Sequence, residues 1–142
     1  MPDDRQFCTF LVDGLYFGIE VFQVQEVIRF QEMTRVPLAS PVIKGLINLR
    51  GQIVTAIDLR RGLELADRPE GSLPMNVVVR TGDGVVSLLV DEIGEVVSTD
   101  QATFEAPPET LRGTARTLID GVYKLKGRLL LVLNTDKAVN VC

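Results

Sequence analysis

The sequence predicts an all-β protein in which two small β-barrels pack against each other. Its apolar residues occur in short runs rich in Val, Ile, Leu and Phe, with glycine-containing turns between them, a pattern typical of strands rather than helices. Several runs are apolar on both faces, as in residues 7–12 (FCTFLV), whereas a strand with one solvated face alternates apolar and polar residues. One face of such a strand is therefore expected to fill a barrel, and the other to contact the second barrel.

Four glycine-containing turns predict four β-hairpins. An Asp-Gly pair suits a type I′ turn, in which both central residues take positive φ, and a turn that begins with Gly suits type II′. The first predicted turn is of the Asp-Gly kind, and the second begins with Gly. In chain order the predicted turns are Asp13-Gly14, Gly51-Gln52, Thr81-Gly82-Asp83-Gly84 and Lys126-Gly127-Arg128.

Short helical turns are predicted at three places between the strands. In residues 40–45, Ser can cap a helix, Pro suits its first position and Gly suits the position after its end. Asp58 can cap a turn over residues 59–63, and Asn134 can cap a last turn over Thr135–Val139. Helical structure is otherwise expected to be scarce.

Two stretches without an apolar pattern, residues 64–74 and 105–117, are predicted to be surface loops because Pro and Gly interrupt them. The first loop lies near the middle of the chain, and it is the best place for a boundary between the two barrels. The whole chain, residues 1–142, is expected to be a single domain. Its expected subdomains are about 15–80 for the first barrel, and about 7–14 with 81–139 for the second.

Charge and hydropathy exclude two classes of partner. The chain has 142 residues, 46% of them hydrophobic, and 15 Lys and Arg against 19 Asp and Glu give a formal net charge of −4. No cluster of Lys and Arg stands out, and binding to nucleic-acid phosphates needs one. No apolar run approaches the ~18 residues that cross a bilayer, and no signal-peptide core follows the acidic N-terminus MPDDRQ. We therefore expect no nucleic-acid partner, no direct membrane insertion and a cytoplasmic location.

The residues that usually build catalytic and metal sites are scarce. The chain has no His, and its two cysteines, Cys8 and Cys142, lie too far apart in sequence for a typical zinc site or disulfide framework. Cys8 is interpreted as a small hydrophobe and Cys142 as a terminal thiol. No dinucleotide-binding or phosphate-binding glycine motif occurs, and Gly82 and Gly84 are interpreted as turn residues. We expect neither a metal nor a cofactor.

Asp91, Glu92 and Glu95 are the acids best placed for acid–base chemistry. They follow the apolar residues 85–90, and the preferred interpretation is a strand end where the acids face water. The alternative is a catalytic role, but no nucleophile, base and oxyanion donor assemble in the sequence around them. The protein is therefore expected not to be an enzyme.

Glu26 and Arg50 are single charges in apolar surroundings. Glu26 lies in residues 21–29 (VFQVQEVIR), which fit either a helix or a strand, and Arg50 lies next to the turn residue Gly51. Because charges are rarely buried without a partner, each side chain either points to solvent at a strand edge or belongs to a recognition surface. Such surfaces combine apolar anchors with a few orienting charges.

The chain resembles the CheW-like adaptor family of bacterial chemotaxis in four segments that occur in the family's order: VQEV, VIKGLINLRGQIVTAIDLR, SLLVDEIGEV and EAPPE. The resemblance extends from about Phe7 to Val139, and its most specific part is the NLRG…IDLR block at residues 48–60. It implies a pair of five-stranded SH3-like β-barrels with a hydrophobic core between them. This expectation agrees with the strands that are apolar on both faces.

The resemblance also implies a function. The family's role is that of a non-catalytic adaptor that couples the cytoplasmic tip of a methyl-accepting chemoreceptor to the regulatory domain of the histidine kinase CheA, in a chemotaxis or chemotaxis-like array. The protein would be cytoplasmic and recruited to membrane-associated receptor arrays. The receptor's helical hairpin is expected in the groove between the barrels, and the kinase at the barrel ends. Weak self-association through the barrel ends is also compatible with the resemblance. The alternative is a small-ligand-binding or enzymatic double barrel that uses the inter-barrel cleft.

The resemblance assigns site residues by their positions in the family motifs. Glu26 falls on the glutamate of V-Q-E and Arg50 on the arginine of N-L-R-G, and we expect these two side chains to pair across the groove. Thr55, Ser87 and Asn134 stand where the family usually has Pro, Gly and Asp, and none of these differences removes a recognition charge. The expected partner-binding residues are Val24, Glu26, Val27, Ile47, Asn48, Leu49, Arg50, Gly51 and Val90.

Overall fold

The strands dominate the computed structural model, which describes residues 5–82, 84–99, 103–109, 111 and 113–139. Cys142 and Asp83, both included in the sequence predictions, lie outside these ranges. Within them the chain forms eleven strands, three short α-helices and a 3-10 turn at Val21–Gln23. The strands are β1 (Gln6–Val12), β2 (Leu15–Glu20), β3 (Val24–Ile28), β4 (Ile43–Leu49), β5 (Gln52–Asp58), β6 (Met75–Thr81), β7 (Gly84–Val90), β8 (Glu92–Ser98), β9 (Phe104–Glu105), β10 (Ile119–Leu125) and β11 (Arg128–Leu133). The helices are α1 (Leu59–Gly62), α2 (Gly113–Thr117) and α3 (Thr135–Val139).

The described strands form two sheets, and the predicted all-β class is confirmed. One sheet has six strands in the order β8-β1-β2-β11-β10-β9, and the other has five in the order β3-β6-β7-β5-β4. The sixth strand, β9, is only two residues long. The sheets do not divide the chain near residues 15 and 80, because β2 belongs to the six-stranded sheet and β7 to the five-stranded one. The single-domain organisation stays a prediction.

Strands that are apolar on both faces supply two different cores, as predicted. In β6, Val77 and Val79 pack into a large core between the two sheets, whereas Val78 packs into a small core of the five-stranded sheet. The six-stranded sheet likewise has a small core of its own, which contains Phe7 and Leu130. Alternation along a strand places neighbouring apolar residues on opposite faces, so both faces are buried.

The turns agree with the prediction at the first and fourth hairpins and differ at the second. Asp13 and Gly14 have φ values of 52° and 78°, as a type I′ turn requires. The second turn lies one residue earlier than predicted, at Arg50-Gly51, because Leu49 pairs with Gln52. Arg50 and Gly51 have φ values of 51° and 91°, so this turn also has positive φ at both central residues and is not type II′.

The third and fourth hairpins turn where the sequence places them. Thr81 pairs with Gly84 around the third turn, and Leu125 pairs with Arg128 around Lys126-Gly127 in the fourth. Gly127 has a φ of 87°, a conformation that favours glycine. Residues 21–29 follow the strand alternative, with the 3-10 turn leading into β3.

Two of the three predicted helical turns are confirmed. The Asp58 carboxylate accepts a hydrogen bond from the Arg60 N–H at 3.1 Å at the start of α1. The Asn134 side chain accepts one from the Lys137 N–H at 3.0 Å at the start of α3. Residues 105–117 are not a continuous loop, because α2 occupies their last five residues.

The predicted helix at residues 40–45 is wrong, because β4 already begins at Ile43. Gly45 lies inside this strand, where the backbone of Thr34 approaches closely. Thr34 and Leu46 exchange two backbone hydrogen bonds of 2.8 Å each. The segment that follows β3 is thereby joined to β4, although β3 and β4 are the opposite edge strands of the five-stranded sheet. This connection curls the sheet into a barrel.

Replacing Gly45 with Ala should destabilise the five-stranded barrel. A Cβ at this position would lie 2.7 Å from the Thr34 carbonyl oxygen and 3.0 Å from the Met33 Cβ, so the backbone pair with β4 must shift. We expect the free energy of unfolding to fall by about 1–3 kcal/mol, measured by urea denaturation. Gly82→Ala is the control, since nothing lies within 4 Å of its Cβ position. Equal stability of both variants would contradict this account of barrel closure.

Candidate partner-binding site

Glu26 and Arg50 form the predicted ion pair, but it joins the two edges of the five-stranded sheet and does not span the groove between the barrels, because both residues belong to that one sheet. Glu26 lies in edge strand β3, and Arg50 lies in the turn that follows the other edge strand, β4. The Arg50 Nη2 donates to the Glu26 carboxylate. The side chain of Arg50 is 72% exposed and that of Glu26 is 22% exposed, so the guanidinium is the part of the pair that faces solvent.

The backbone of the turn presents Arg50 in an uncommon conformation. A φ of 51° places it in the left-handed region, which residues other than Gly, Asn and Asp seldom adopt. Gly51 follows it with positive φ, and its N–H donates to the Asn48 side-chain oxygen at 2.8 Å. Asn48 and Gly51 are both exposed, as a surface role requires.

Exposed aliphatic side chains accompany this charged pair. Val27 in β3 is 37% exposed, and Val24 in the same strand is half-buried against the large core. Ile53 in β5, directly opposite Asn48, is 61% exposed. The sequence prediction missed Ile53. Its place two residues after Gly51, on the same face as Asn48 in the correct turn register, is the signal that would have found it.

Three predicted site residues are buried, so the prediction that they line a binding surface is wrong. Ile47 and Leu49 are 1% and 7% exposed and fill the small core of the five-stranded barrel. Val90 is fully buried in the core between the sheets. In β4 the side chains alternate, so Ile47 and Leu49 point inward while Asn48 between them is exposed.

Asp91 has a structural environment that neither sequence interpretation anticipated. Its carboxylate accepts two hydrogen bonds from Arg60, from Nε at 3.0 Å and from Nη2 at 2.7 Å. Arg68 Nη2 donates to it at 3.1 Å, and the backbone N–H of Asp13 donates at 2.7 Å. Glu92 and Glu95 are exposed, as predicted, but Asp91 does not face water freely.

The surroundings of Asp91 keep its carboxylate ionised. Burial by itself would raise the pKa of Asp91, but the hydrogen bonds from Arg60 and Asp13 and the charges of Arg60 and Arg68 outweigh burial and lower the pKa below its ordinary value. A carboxylate held this way is poorly suited to proton transfer near neutral pH. The small-ligand or enzymatic hypothesis, which would use acids such as Asp91 and Glu95, is therefore not favoured by the environment of Asp91.

Other functional groups are also scarce in the part of the chain that is described. No group of three or more His, Cys, Asp or Glu residues there is arranged to hold a metal ion. Cys8 is a free thiol that is partly buried, and burial raises its pKa, which disfavours the reactive thiolate. None of the helices in the described ranges has the length and apolar character needed to cross a membrane.

Comparison with known proteins gives the family. The family model described as "CheW-like domain" matches residues 6–141. The chain belongs to the CheW-like family. Over 136 residues it is 30% identical to the chemotaxis protein CheW of Bacillus subtilis (strain 168), and the match covers 96% of this chain and 87% of that protein. Over 141 residues it is 27% identical to the chemotaxis protein CheW of Treponema pallidum (strain Nichols), with coverages of 95% and 83%.

A solved structure of a CheW protein has the same fold. The scaffolding protein TtCheW from Thermoanaerobacter tengcongensis superposes on this CheW-like chain with a TM-score of 0.81. The two are 25% identical, and the match covers 91% of this chain and 88% of that one. Together with the two described sheets, this similarity confirms the class of two packed SH3-like β-barrels. The family is one of chemotaxis scaffold proteins, and this chain is a member of it.

Replacing Asp91 with Asn should destabilise the CheW-like fold strongly. The side chain of Arg60 is only 8% exposed, and the substitution removes the carboxylate nearest to its charge, leaving the Asp13 carboxylate at 3.6 Å. Breaking a buried ion pair from one side lowers the free energy of unfolding by about 3–5 kcal/mol. Chemical denaturation at pH 7 measures this, with Glu95→Gln as the control that makes the same change on an exposed side chain. An Asp91→Asn variant as stable as the control would contradict the account.

Acid should also act partly through Asp91. Because its pKa is lower in the folded state than in the unfolded chain, the ionised carboxylate stabilises the fold above the unfolded pKa of about 4, and this contribution is lost as the pH falls through the folded pKa. We expect the free energy of unfolding of the wild type to fall more steeply below about pH 4 than that of Asp91→Asn. Parallel curves of unfolding free energy against pH would show that Asp91 has no such role.

Proposed function

We propose that this protein is a non-catalytic adaptor that couples the cytoplasmic tip of a methyl-accepting chemoreceptor to the regulatory domain of the histidine kinase CheA. Membership of a scaffold family supports an adaptor, and implies that the chain is not an enzyme. Acting in this way, the protein resides in the cytoplasm and is recruited to membrane-associated receptor arrays. The two named partners are those that the family resemblance implies.

The observation that carries this proposal is the exposed Arg50 guanidinium at the tip of the β4–β5 turn. Glu26 satisfies one of its donor groups and leaves the rest of the guanidinium open to a partner. Val27 and Ile53 offer apolar surface on the strands nearby. Arginine beside aliphatic anchors is typical of the residues that dominate protein–protein binding energies.

The exposed position of the ion pair favours recognition over stability as its role. Ion pairs at exposed positions contribute only about 0–1 kcal/mol to folding, because water screens the charges and long side chains lose rotamer freedom. The nearby Thr34–Leu46 backbone pair also connects the edge of the barrel, so closure does not depend on Arg50 alone. The Arg50 guanidinium can therefore change partner without opening the barrel.

Replacing Arg50 should weaken partner binding while leaving the fold intact. We expect Arg50→Ala to lower affinity for a receptor-tip helical-hairpin fragment about 30-fold or more, since truncating an interface arginine hot spot removes about 2 kcal/mol or more. Arg50→Asn should do the same and be at least as stable as the wild type, because Asn adopts positive φ more readily than Arg. Titration calorimetry with the receptor fragment and with the CheA regulatory domain measures both affinities.

Arg128→Ala provides the matched control for this experiment. It removes another exposed guanidinium, located in the six-stranded sheet and stacked 4.2 Å from the centroid of the Tyr16 ring, and makes the same change in net charge. Affinities for both fragments that stay unchanged in Arg50→Ala and Arg50→Asn would overturn the site assignment. Loss of binding to the receptor fragment in Arg128→Ala to the same extent would show that net charge, and not the Arg50 site, determines affinity for the receptor.

A further inference from the structure

The Arg50-Gly51 turn is held by a side chain from the strand that precedes it. In a two-residue hairpin turn the flanking residues pair with each other, here Leu49 with Gln52, so the N–H of the second central residue has no partner in the strand ladder and can bond to water or to a side chain. In this turn the Gly51 N–H donates to the Asn48 side-chain oxygen at 2.8 Å. Asn48 therefore supplies the hydrogen-bond acceptor for the backbone N–H of the residue directly after Arg50.

Arg50 needs such support because its own backbone is not in a preferred conformation. Its φ of 51° is unfavourable for an arginine, and such conformations persist when the surroundings hold them. Gly51, the Asn48 hydrogen bond and the pair with Glu26 are the observed restraints on this residue. Of these, the Asn48 bond is the restraint that fixes the turn from within β4.

We propose that Asn48 is a positioning residue that aims the Arg50 guanidinium and acts on the partner through it, without contacting the partner itself. The proposal rests on the proposed function, because it concerns the same surface. The acceptor oxygen of Asn48 is already engaged by Gly51. A role in the turn accounts for this hydrogen bond, whereas a role in partner contact does not require it.

A double-mutant cycle separates these two roles. Asn48→Ala should weaken binding of the receptor-tip fragment about threefold to tenfold, the equivalent of one hydrogen bond. In the Arg50→Ala background the same substitution should have no further effect, because there is no guanidinium left to position. Asn48→Asp keeps the acceptor oxygen and should retain most of the affinity.

Two measurements test the turn without any partner. Hydrogen exchange of the Gly51 amide should accelerate in Asn48→Ala and stay slow in Asn48→Asp. The Arg50 side-chain N–H resonance should move in Asn48→Ala toward its position in Glu26→Gln, the reference in which the ion pair is absent. Two-dimensional amide spectra of each variant establish that it is folded.

Each outcome has a defined meaning. Equal weakening by Asn48→Ala in both backgrounds would overturn the proposal, since Asn48 would then contact the partner directly. Unchanged affinity in Asn48→Ala, with Arg50→Ala still weakened, would overturn it as well. Unchanged affinity in Arg50→Ala would instead reject the proposed function at this site. In that case the two spectroscopic measurements still decide whether Asn48 positions Arg50, and their failure to change in Asn48→Ala would refute it.

Discussion

The ion pair between Arg60 and Asp91 is the interaction on which the assembly of the two barrels depends. Asp91 is the single residue between β7 of one sheet and β8 of the other, so the backbone passes from one barrel to the other at this residue. That carboxylate binds Arg60 at the start of α1, Arg68 in the long loop and the turn between β1 and β2. Arg60 is buried, and its charge is compensated mainly by Asp91 at 2.7 Å, with the Asp13 carboxylate farther away at 3.6 Å.

The proposed recognition site lies at the seam where the two edges of the five-stranded sheet meet. β3 and β4 are edge strands, and the Glu26–Arg50 pair and the Thr34–Leu46 backbone pair bring the chain around their edges together. The two Thr34–Leu46 backbone bonds hold this seam, and the exposed ion pair adds little stability. A residue that contributes little to folding can be selected for its partner, which explains how a charged side chain persists at the tip of an otherwise apolar hairpin.

Local rules predicted the local structure well and failed where distant segments meet. Asp13-Gly14, Asp58 and Asn134 behave as turn and cap chemistry dictates, since the positive φ values of the turn and the two capping hydrogen bonds depend only on residues close in sequence. The helix predicted at residues 40–45 also satisfied local rules, but the backbone of Thr34 approaches Gly45 and draws the segment into β4. Asp91 was misjudged for the same reason, because Arg60 and Arg68 come from 31 and 23 residues away.

The sequence by itself determined the all-β class, the packing of strands on both faces, most turns and caps, and the pairing of Glu26 with Arg50. These follow from apolar periodicity, from the conformations that Gly, Asn and Asp adopt, and from the penalty on an unpaired charge among aliphatic residues. Only the tertiary structure decided which aliphatic residues of the NLRG region are exposed. Strand register and barrel closure bury Ile47, Leu49 and Val90 and expose Ile53. The direction in which a side chain points is set by the closed sheet, and its hydrophobicity alone does not specify it.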